Sequence, residues 1–269
     1  MKTIGFTKAV ATGNDFIIID NRVSGIGHRV SDLAKKLCDR RWSVGADGLL
    51  LVERSKKADF KMRIFNPDGS EAEMCGNGSR CIALYAATKK IAGTEMGIET
   101  LAGVLKAYVK KDTVKVRLSD PKDIKWNLCL TIHECPYQVN FVNTGVPHAV
   151  HFVKDADGVD VKSLGSDMRY HKEFSPYGSN VDFVEIVRGN RIKVRTYERG
   201  VEDETLACGT GAVASAIISA EAEKISSPVI VETKSGERLN VYFEIVERVF
   251  TNVYLEGRAQ LVYEGKIKI

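Results

Sequence analysis

Long apolar runs are missing from this sequence of 269 residues. No stretch approaches the roughly 18 apolar residues of a membrane-spanning helix, although 44% of the residues are hydrophobic, which is enough for ordinary buried cores. The first residues, MKTIGFTKAVATGNDF, also lack the apolar centre of a secretory signal peptide. We therefore expect a cytoplasmic protein without a membrane partner.

Charge of one sign is not concentrated anywhere in the chain. The 39 Lys and Arg residues and the 35 Asp and Glu residues are scattered and leave a net charge of +4. Because no dense basic block or aromatic-basic alternation is present, no nucleic-acid partner is predicted. The segments GNGS and GTGA also lack the lysine of a P-loop and the glycine series of a dinucleotide site.

Cysteine is sparse, with six residues in the whole chain. This number is too small for a disulfide scaffold, and a reducing compartment would keep the side chains as thiols. No metal site is predicted, because the sequence has no C-x-x-C pair and places no thiol close to His148 or His151. Four cysteines are interpreted as small buried apolar residues: Cys38, Cys81, Cys129 and Cys135.

The remaining cysteines, Cys75 and Cys208, lie in segments that match when the sequence is shifted by 133 positions. The same shift aligns the small residues of the two following helices and places GIETLAG on VIVETKSG. This repeat indicates a duplication. We predict two homologous domains, residues 1–120 and 121–261, which are joined near the polar segment SDPKDIKW, with 262–269 returning to the first domain.

Both halves show the same order of short strands and helices. Strands are predicted at DFIIID, GLLLVE, KMRIF, VLKAYVK and VKVRL, and then at QVNFV, VDFVEIV, IKVRTY and NVYFEIV. Ser31 is a candidate N-cap for the helix DLAKKLCDRR, and VKSLGSDMRYHKEF takes the equivalent place in the second half. Apolar helices follow CGNG and CGTG, the first with Lys89 and Lys90 in its last turn. Each half is therefore predicted to be mixed α/β.

A cysteine at the start of a helix has unusual chemistry. The unpaired N–H groups and positive dipole end stabilise its thiolate and are expected to lower its pKa below about 8.5. Neighbouring glycines let a carboxylate approach those N–H groups. If a pseudo-twofold axis brings both helix starts to one cleft, one thiolate can remove a proton while the opposed thiol delivers another. This arrangement predicts inversion of a stereocentre next to a carboxylate, with no metal and no organic cofactor.

The segments FNPDGSEAEMCGNGSRC and YERGVEDETLACGTGA resemble the diaminopimelate epimerase family, as do TGNDF, GADGLLLVE, NTGVPHAV, GSNVDFVEI and RTYERG. The resemblance covers nearly the whole chain. It implies two domains, each with mixed β-structure wrapped around a central helix, and a homodimer. It also implies conversion of LL-2,6-diaminopimelate to the meso form, a step toward lysine and peptidoglycan precursors, without pyridoxal phosphate.

The resemblance also assigns roles to individual residues. Cys75 and Cys208 match the catalytic base and acid. His148 and Glu198 match the polar pair that holds the substrate ammonium and tunes the thiols. The residues matching substrate-binding positions are Asn14, Asn66, Gly76, Asn77, Asn180, Glu198, Arg199, Gly209 and Thr210, with Arg199 on the distal carboxylate.

The chain departs from the family pattern at Val146, at Gly48 and in a loop at 200–204 that is one residue longer, all of which bear on recognition of the distal end of the substrate. Two alternatives follow from the residues. One is another pyridoxal-independent racemase, acting for instance on lysine or glutamate. The other is a thiol redox sensor or binding module.

Overall fold

A computed structural model describes residues 3–26, 29–247 and 249–268. Ile269, the last residue of the predicted terminal strand, lies outside this part of the chain. The chain forms two compact units, unit 1 with Met1–Arg117 and Gly257–Ile269, and unit 2 with Leu118–Glu256. Within the described residues, no helix has both the length and the apolar character needed to cross a bilayer.

Unit 1 is built from nine strands and three helices among its described residues. Its strands are β1 (Thr3–Ala11), β2 (Asn14–Asp20), β3 (Gly48–Glu53), β4 (Phe60–Phe65), β5 (Glu71–Ala72), β6 (Glu95–Thr100), β7 (Gly103–Lys110), β8 (Thr113–Arg117) and, from the end of the chain, β18 (Gln260–Lys268). Its helices are α1 (Asn21–Ser24), α2 (Val30–Cys38) and α3 (Gly76–Thr88).

Unit 2 contains the intervening elements. Its strands are β9 (Lys122–Ile132), β10 (Cys135–Asn143), β11 (Pro147–Phe152), β12 (Asn180–Arg188), β13 (Arg191–Glu198), β14 (Asp203–Thr205), β15 (Val229–Glu232), β16 (Arg238–Val246) and β17 (Val249–Arg258). Its helices are α4 (Val161–Arg169), a 3-10 turn (Lys172–Phe174) and α5 (Gly209–Glu223).

The strand pairings of the two units repeat one another. In unit 1, β1 pairs with β2 antiparallel, β2 with β3 parallel, β3 with β4 antiparallel, and β4 with β6 parallel. In unit 2, the strands β10, β11, β12, β13 and β15 follow the same sequence of antiparallel and parallel pairings. Even the outermost partners correspond, because β18 flanks β1 as β9 flanks β10. This shared topology is the structural trace of the repeat seen in the sequence.

Each unit has a central helix. All ten residues from Asn77 to Ala86 of α3 are buried, as are the ten from Gly211 to Ala220 of α5. A helix that is buried on every side must be covered all round. Strands β1, β2, β3, β4, β7, β8 and β18 contact α3, and β10, β11, β12, β13, β15 and β16 contact α5. The predicted mixed fold, with β-structure around a central helix, is confirmed.

The other main helix of each unit covers the opposite face of the sheet. The side chains of Leu33 and Leu37 in α2 pack with Ile17, Ile19 and Leu49, on alternate positions of β2 and β3. In unit 2, α4 contributes Val161 and Met168 to a cluster with residues of β9 to β13. Strands β2 and β3 are therefore buried on both faces, which explains their continuous apolar sequences.

Two predicted helix boundaries are wrong. The second helix begins at Val30 after Arg29, with no capping side chain, so Ser31 lies inside the helix. Lys89 and Lys90 follow α3 instead of closing it, since the helix ends at Thr88.

The predicted burial of the four other cysteines is half right. Cys38 and Cys81 are buried, whereas Cys129 and Cys135 are exposed. Cys129 lies between Leu128 and the buried Leu130 on β9, and its side chain therefore points to the opposite face of the strand. Alternation in this strand, rather than the apolar character of the thiol, decides where Cys129 lies.

Candidate active site

Cys75 is the N-cap of α3. Its backbone is extended, with φ −146° and ψ 122°, and its sulfur accepts a hydrogen bond from the N–H of Gly78 at 3.5 Å. The carbonyl of Cys75 accepts the N–H of Ser79, which is the first backbone bond of the helix. Helix geometry leaves the N–H groups of Gly76 and Asn77 without an intrahelical acceptor. The cysteine and two amides thus form one polar helix start.

Asn14 brings a side-chain amide to the same place. Its oxygen lies 4.0 Å from the sulfur of Cys75 and 3.5 Å from the side-chain nitrogen of Asn77. A hydrogen bond fixes the orientation of this amide, because its nitrogen donates to Asp47 at 2.8 Å. Asp47 in turn accepts a hydrogen bond from Arg40 at 2.7 Å. A charged network on the adjoining loop therefore positions Asn14.

Asn66 occupies a different setting. It is exposed and opens the turn at 66–69, where its carbonyl accepts the N–H of Gly69 at 2.9 Å. Its side-chain nitrogen donates to the hydroxyl of Ser70, also at 2.9 Å. The hydrogen bonds described for Asn66 are therefore those of a turn, and its predicted role in substrate binding stays a prediction.

Cys208 occupies the corresponding position at the start of α5. Its φ of −107° and ψ of 116° are again extended, and its sulfur accepts the N–H of Gly211 at 3.4 Å. The sulfur also lies 3.4 Å from the hydroxyl oxygen of Thr210. The N–H groups of Gly209 and Thr210 have no intrahelical acceptor by their position in the helix. The second helix start thus repeats the first and adds a hydroxyl.

A buried polar chain lies behind this second sulfur. Nε2 of His148 is 3.0 Å from the Thr210 hydroxyl, and Nδ1 is 2.7 Å from a carboxylate oxygen of Asp182. The other oxygen of Asp182 accepts the hydroxyl of Thr196 at 2.7 Å. His148 and Asp182 are both fully buried. Such polar groups require partners in the protein interior, and each has them here.

The pKa of Cys208 contradicts the expectation of a lowered thiol pKa at a helix start. Burial raises the pKa of Cys208 well above its ordinary value, and the negative charges of Glu198 and Asp182 raise it further. The hydrogen bonds from Thr210 and the Gly211 N–H act in the opposite direction but are smaller. Burial also raises the pKa of Glu198. At neutral pH Cys208 therefore holds its proton.

Asn180 and Arg199 are neighbours in unit 2. The side-chain nitrogen of Asn180 donates to the carbonyl of Pro147, and its oxygen accepts the backbone N–H of Arg199 at 2.8 Å. Asn180 thus joins the start of β11 to the end of β13, and it pairs with His148 in the parallel register of β11 and β12. The structure gathers these residues with Cys208, whereas it gathers Asn14, Gly76 and Asn77 with Cys75.

The structure shows which atoms contact Gly48 and the loop at 200–204, two of the places where the sequence departs from the family pattern. A Cβ atom at Gly48 would lie 3.1 Å from the carbonyl oxygen of Phe65 and 3.2 Å from the ring of Phe16, so both leave little space for a larger side chain. In the longer loop, Glu202 has a positive φ of 57° and accepts hydrogen bonds from Arg169 and the N–H of Gly200. These two hydrogen bonds to Glu202 hold the loop at 200–204 as a turn.

Sequence reasoning missed Asp182, Thr196 and Asp47. A carboxylate inside the apolar run VDFVEIV is a signal for a buried partner, since an isolated buried charge is costly. The identity of that partner could not be read from the sequence, because it depends on the parallel pairing of β11 with β12.

Comparisons with known proteins agree with this arrangement of two related units. The family model described as diaminopimelate epimerase matches residues 6–123 and 140–262. The diaminopimelate epimerase of Aquifex aeolicus is 44% identical over 97% of both chains. That of Hydrogenobaculum sp. is 42% identical over 97% of both chains, and that of Methanocella arvoryzae is 42% identical over 100% of this chain and 98% of the relative.

Solved structures share the fold at much lower identity. A Bacillus anthracis phenazine biosynthesis protein of the PhzF family has a TM-score of 0.78 at 20% identity, with complete coverage of both chains. A probable proline racemase from Agrobacterium radiobacter has a TM-score of 0.74 at 14% identity and covers 99% of this chain and 93% of its own. Because the family model covers most of the sequence and the relatives align along nearly all of it, the chain is an isomerase and belongs to the diaminopimelate epimerase family.

Proposed function

We propose that the protein epimerises LL-2,6-diaminopimelate to meso-diaminopimelate by moving protons at two cysteine sulfurs. The observation that carries this proposal is the repeated helix start, because Cys75 and Cys208 each cap a central helix and each accept the N–H three residues later. Membership of the family supplies the substrate. The repeat supplies two equivalent groups for a reaction that acts on two faces of one carbon.

The helix starts account for binding of the carboxylate next to that carbon. The N–H groups of Gly76 and Asn77, and those of Gly209 and Thr210, project from the positive ends of two helix dipoles. These groups form hydrogen bonds with an anion, and the stabilisation grows as proton removal places negative charge on the substrate. The amide cradle therefore lowers the barrier to removing the α-proton.

The two sulfurs take unequal roles in a given direction of reaction. Because the raised pKa of Cys208 keeps its proton at neutral pH, Cys208 is the proton donor when Cys75 acts as the base. The roles exchange in the reverse direction. Glu198 holds the substrate ammonium, and a cation there offsets the negative charge that raises the pKa of Cys208. His148, whose two ring nitrogens contact Asp182 and Thr210, tunes the thiol.

The remaining substrate contacts are assigned by the family pattern. Arg199 binds the distal carboxylate through its forked guanidinium. Asn14, Asn66 and Asn180 complete the binding site, with Asn14 already oriented toward Cys75 by Asp47. The reaction uses neither metal nor organic cofactor. We place it in the cytoplasm, in a homodimer, on the route to lysine and to the cross-linking residue of peptidoglycan.

The direct test is incubation of the purified protein with LL-diaminopimelate in D2O without added cofactor. We expect the meso form to appear with deuterium at the inverted carbon, because the incoming proton comes from a thiol that exchanges with solvent. Nuclear magnetic resonance and chiral chromatography measure label and product. Failure to form the meso isomer would reject the proposal, and a preference for lysine or glutamate would favour a racemase of another substrate.

Serine replacements test the two-base assignment. Cys75→Ser and Cys208→Ser should each reduce epimerisation by a factor of about 10² or more, because a hydroxyl is a far weaker base than a thiolate. Cys129→Ser, on an exposed strand face, is the matched control and should keep normal turnover. Near-normal turnover in Cys75→Ser or Cys208→Ser would contradict the two-base assignment. It would favour the alternative of a thiol redox sensor or binding module.

A further inference from the structure

The reaction in one direction requires Cys208 to lose its proton, although the cysteine residue is only 8% exposed. Negative side chains surround it, since Glu198 on β13 and Asp182 on β12 both face the start of α5. Among the described groups near this sulfur, the basic side chain is His148 on β11, which is connected to Cys208 through Thr210. The side-chain contacts in unit 2 provide a route for this proton.

The contacts form an unbroken chain of four side chains. The sulfur of Cys208 lies 3.4 Å from Oγ1 of Thr210, which lies 3.0 Å from Nε2 of His148. Nδ1 of His148 lies 2.7 Å from Oδ2 of Asp182, whose other oxygen is held by Thr196. Since a carboxylate accepts only, Nδ1 carries a hydrogen, and Nε2 is left to accept.

We propose that the Thr210 hydroxyl relays a proton between Cys208 and His148, and that Asp182 is the positioning residue that sets the histidine tautomer. The proposal rests on the two-cysteine function above. It adds a role for the side chain of Thr210, whose backbone amide binds the substrate carboxylate. It also gives a role to a buried carboxylate whose hydrogen bonds go to His148 and Thr196.

The proton transfer balances without any external reagent. In one state the S–H of Cys208 donates to Oγ1 of Thr210, and the Thr210 hydroxyl donates to Nε2 of His148. In the other state the sulfur is a thiolate that accepts the Thr210 hydroxyl, and Nε2–H of His148 donates to Oγ1. One proton has left sulfur, one has reached nitrogen, and Thr210 is unchanged.

Both states keep every hydrogen bond of the chain. In the second state the imidazolium lies against Asp182, so the positive charge is compensated inside the protein. A thiolate and an imidazolium then replace a neutral thiol and a neutral ring, which avoids a lone buried anion. The arrangement resembles the serine-histidine-aspartate logic, in which the carboxylate holds the tautomer and stabilises the imidazolium, with one hydroxyl inserted before the nucleophilic atom.

The experiment measures the pH dependence of alkylation of Cys208 by iodoacetamide, with each cysteine quantified by peptide mass spectrometry. Thr210→Val removes the hydroxyl at nearly constant shape, and Thr210→Ser keeps it. We expect Thr210→Val to move the midpoint of the Cys208 profile upward by about one pH unit or more, because both the donor to the thiolate and the route to the histidine are lost. Thr210→Ser should follow the wild-type profile.

A double-mutant cycle separates a relay from an ordinary hydrogen bond. His148→Gln keeps a polar side chain that cannot take up the proton. We expect it to raise the Cys208 midpoint, but by no more than Thr210→Val, because the Thr210 hydroxyl can still donate to the thiolate. The double variant should shift no further, because both changes break one chain. Shifts that add in the double variant, or a Thr210→Val profile that matches wild type, would overturn the relay.

Cysteines elsewhere in the chain act as internal controls. Cys81 is fully buried in α3 and should resist alkylation in every folded variant, while the exposed Cys129 should react equally in all of them. Reaction at Cys81 identifies a variant that has unfolded. Since no substrate is used, the Cys208 profile reports on the relay even if diaminopimelate proves to be the wrong substrate.

The role of Asp182 has a spectroscopic test that does not require a variant at Thr210. Imidazole ¹⁵N chemical shifts should place the hydrogen of neutral His148 on Nδ1 in the wild-type protein. In Asp182→Asn, Thr196 holds the amide oxygen and the amide NH₂ faces Nδ1, so the hydrogen should move to Nε2. A wild-type histidine with its hydrogen on Nε2, or no change in the Asn variant, would contradict the assigned positioning role.

Discussion

A buried thiol with a raised pKa makes the free energy of unfolding depend on pH. Burial raises the pKa of Cys38 to about 11, whereas a thiol in an unfolded chain titrates near 8.5. Between these values the unfolded chain releases a proton that the folded chain keeps. The stabilisation is therefore complete below about pH 8.5 and is lost as pH rises toward 11, at up to about 1.4 kcal/mol per pH unit.

Cys38→Ala should flatten this alkaline dependence. The variant loses the sulfur's packing in the core beside α2, so its free energy of unfolding at pH 7 falls by about 1 kcal/mol. Its further decrease between pH 8.5 and 11 should be smaller than that of wild type by up to about 1.4 kcal/mol per unit. Urea unfolding at a series of pH values measures both, with exposed Cys129→Ala as control. Parallel pH curves for wild type and Cys38→Ala would contradict the explanation.

At the residue scale, short sequence motifs were enough to predict most residues of the candidate site. Cys75 and Cys208 could be predicted because a cysteine before glycine at a helix start has a chemical meaning that needs no tertiary contact. Asp182 could not, because its partner His148 is 34 positions away and becomes a neighbour only through strand pairing. The sign of the pKa shift at Cys208 was missed for the same reason, since the helix dipole is visible in the sequence and full burial is not.

At the scale of elements, the two helix starts differ in how closely they pack. Gly78 and Gly211 occupy the same place, three residues after the cysteine. A Cβ atom at Gly211 would lie 2.4 Å from a carboxylate oxygen of Asp182, whereas one at Gly78 would meet its nearest atom, of Leu50, at 3.3 Å. The start of α5 therefore needs a glycine because the buried carboxylate lies directly against it.

Alanine should destabilise the protein at Gly211 and have little effect at Gly78. Gly211→Ala forces Asp182 away from Thr196 and His148 and should destabilise the protein by about 1–3 kcal/mol, as overpacking does. Gly78→Ala, the matched control, gains up to about 1 kcal/mol of helix propensity against a mild contact and should be near neutral. Chemical denaturation of both variants provides the comparison. Equal destabilisation would show that the carboxylate does not set the requirement.

The sequence pattern predicted the type of an element better than its exact first residue. The run GLLLVE predicts β3 correctly because its unbroken apolar character reflects burial on both faces. The start of α2 was misplaced because Ser31 has a capping side chain, yet tertiary packing of Val30 begins the helix two residues earlier. Packing of an apolar face outweighs a capping preference of about 1 kcal/mol.

At the scale of the whole molecule, the repeated topology hides one difference in chain connectivity. Unit 2 is one continuous segment that contains β9, the outer partner of β10. Unit 1 obtains the equivalent partner of β1 from the end of the chain, since β18 pairs with β1 from Thr3↔Lys268 to Val10↔Gln260. Unit 1 therefore depends on residues that follow the whole of unit 2 in the sequence.

A chain ending at Arg258 tests this dependence. Removal of β18 leaves β1 without its antiparallel partner and takes away a neighbour of α3 and the ion pair of Lys89 with Glu264. Amide hydrogen exchange should show lost protection in β1, β2 and α3, while β11, β12 and α5 keep theirs, because stability is local to cooperative units. Glu264→Ala in the full chain removes only the exposed ion pair and should leave both patterns intact. Uniform loss of protection in the two units would mean that they unfold as one, and undiminished protection in β1 would show that β18 contributes no stability to unit 1.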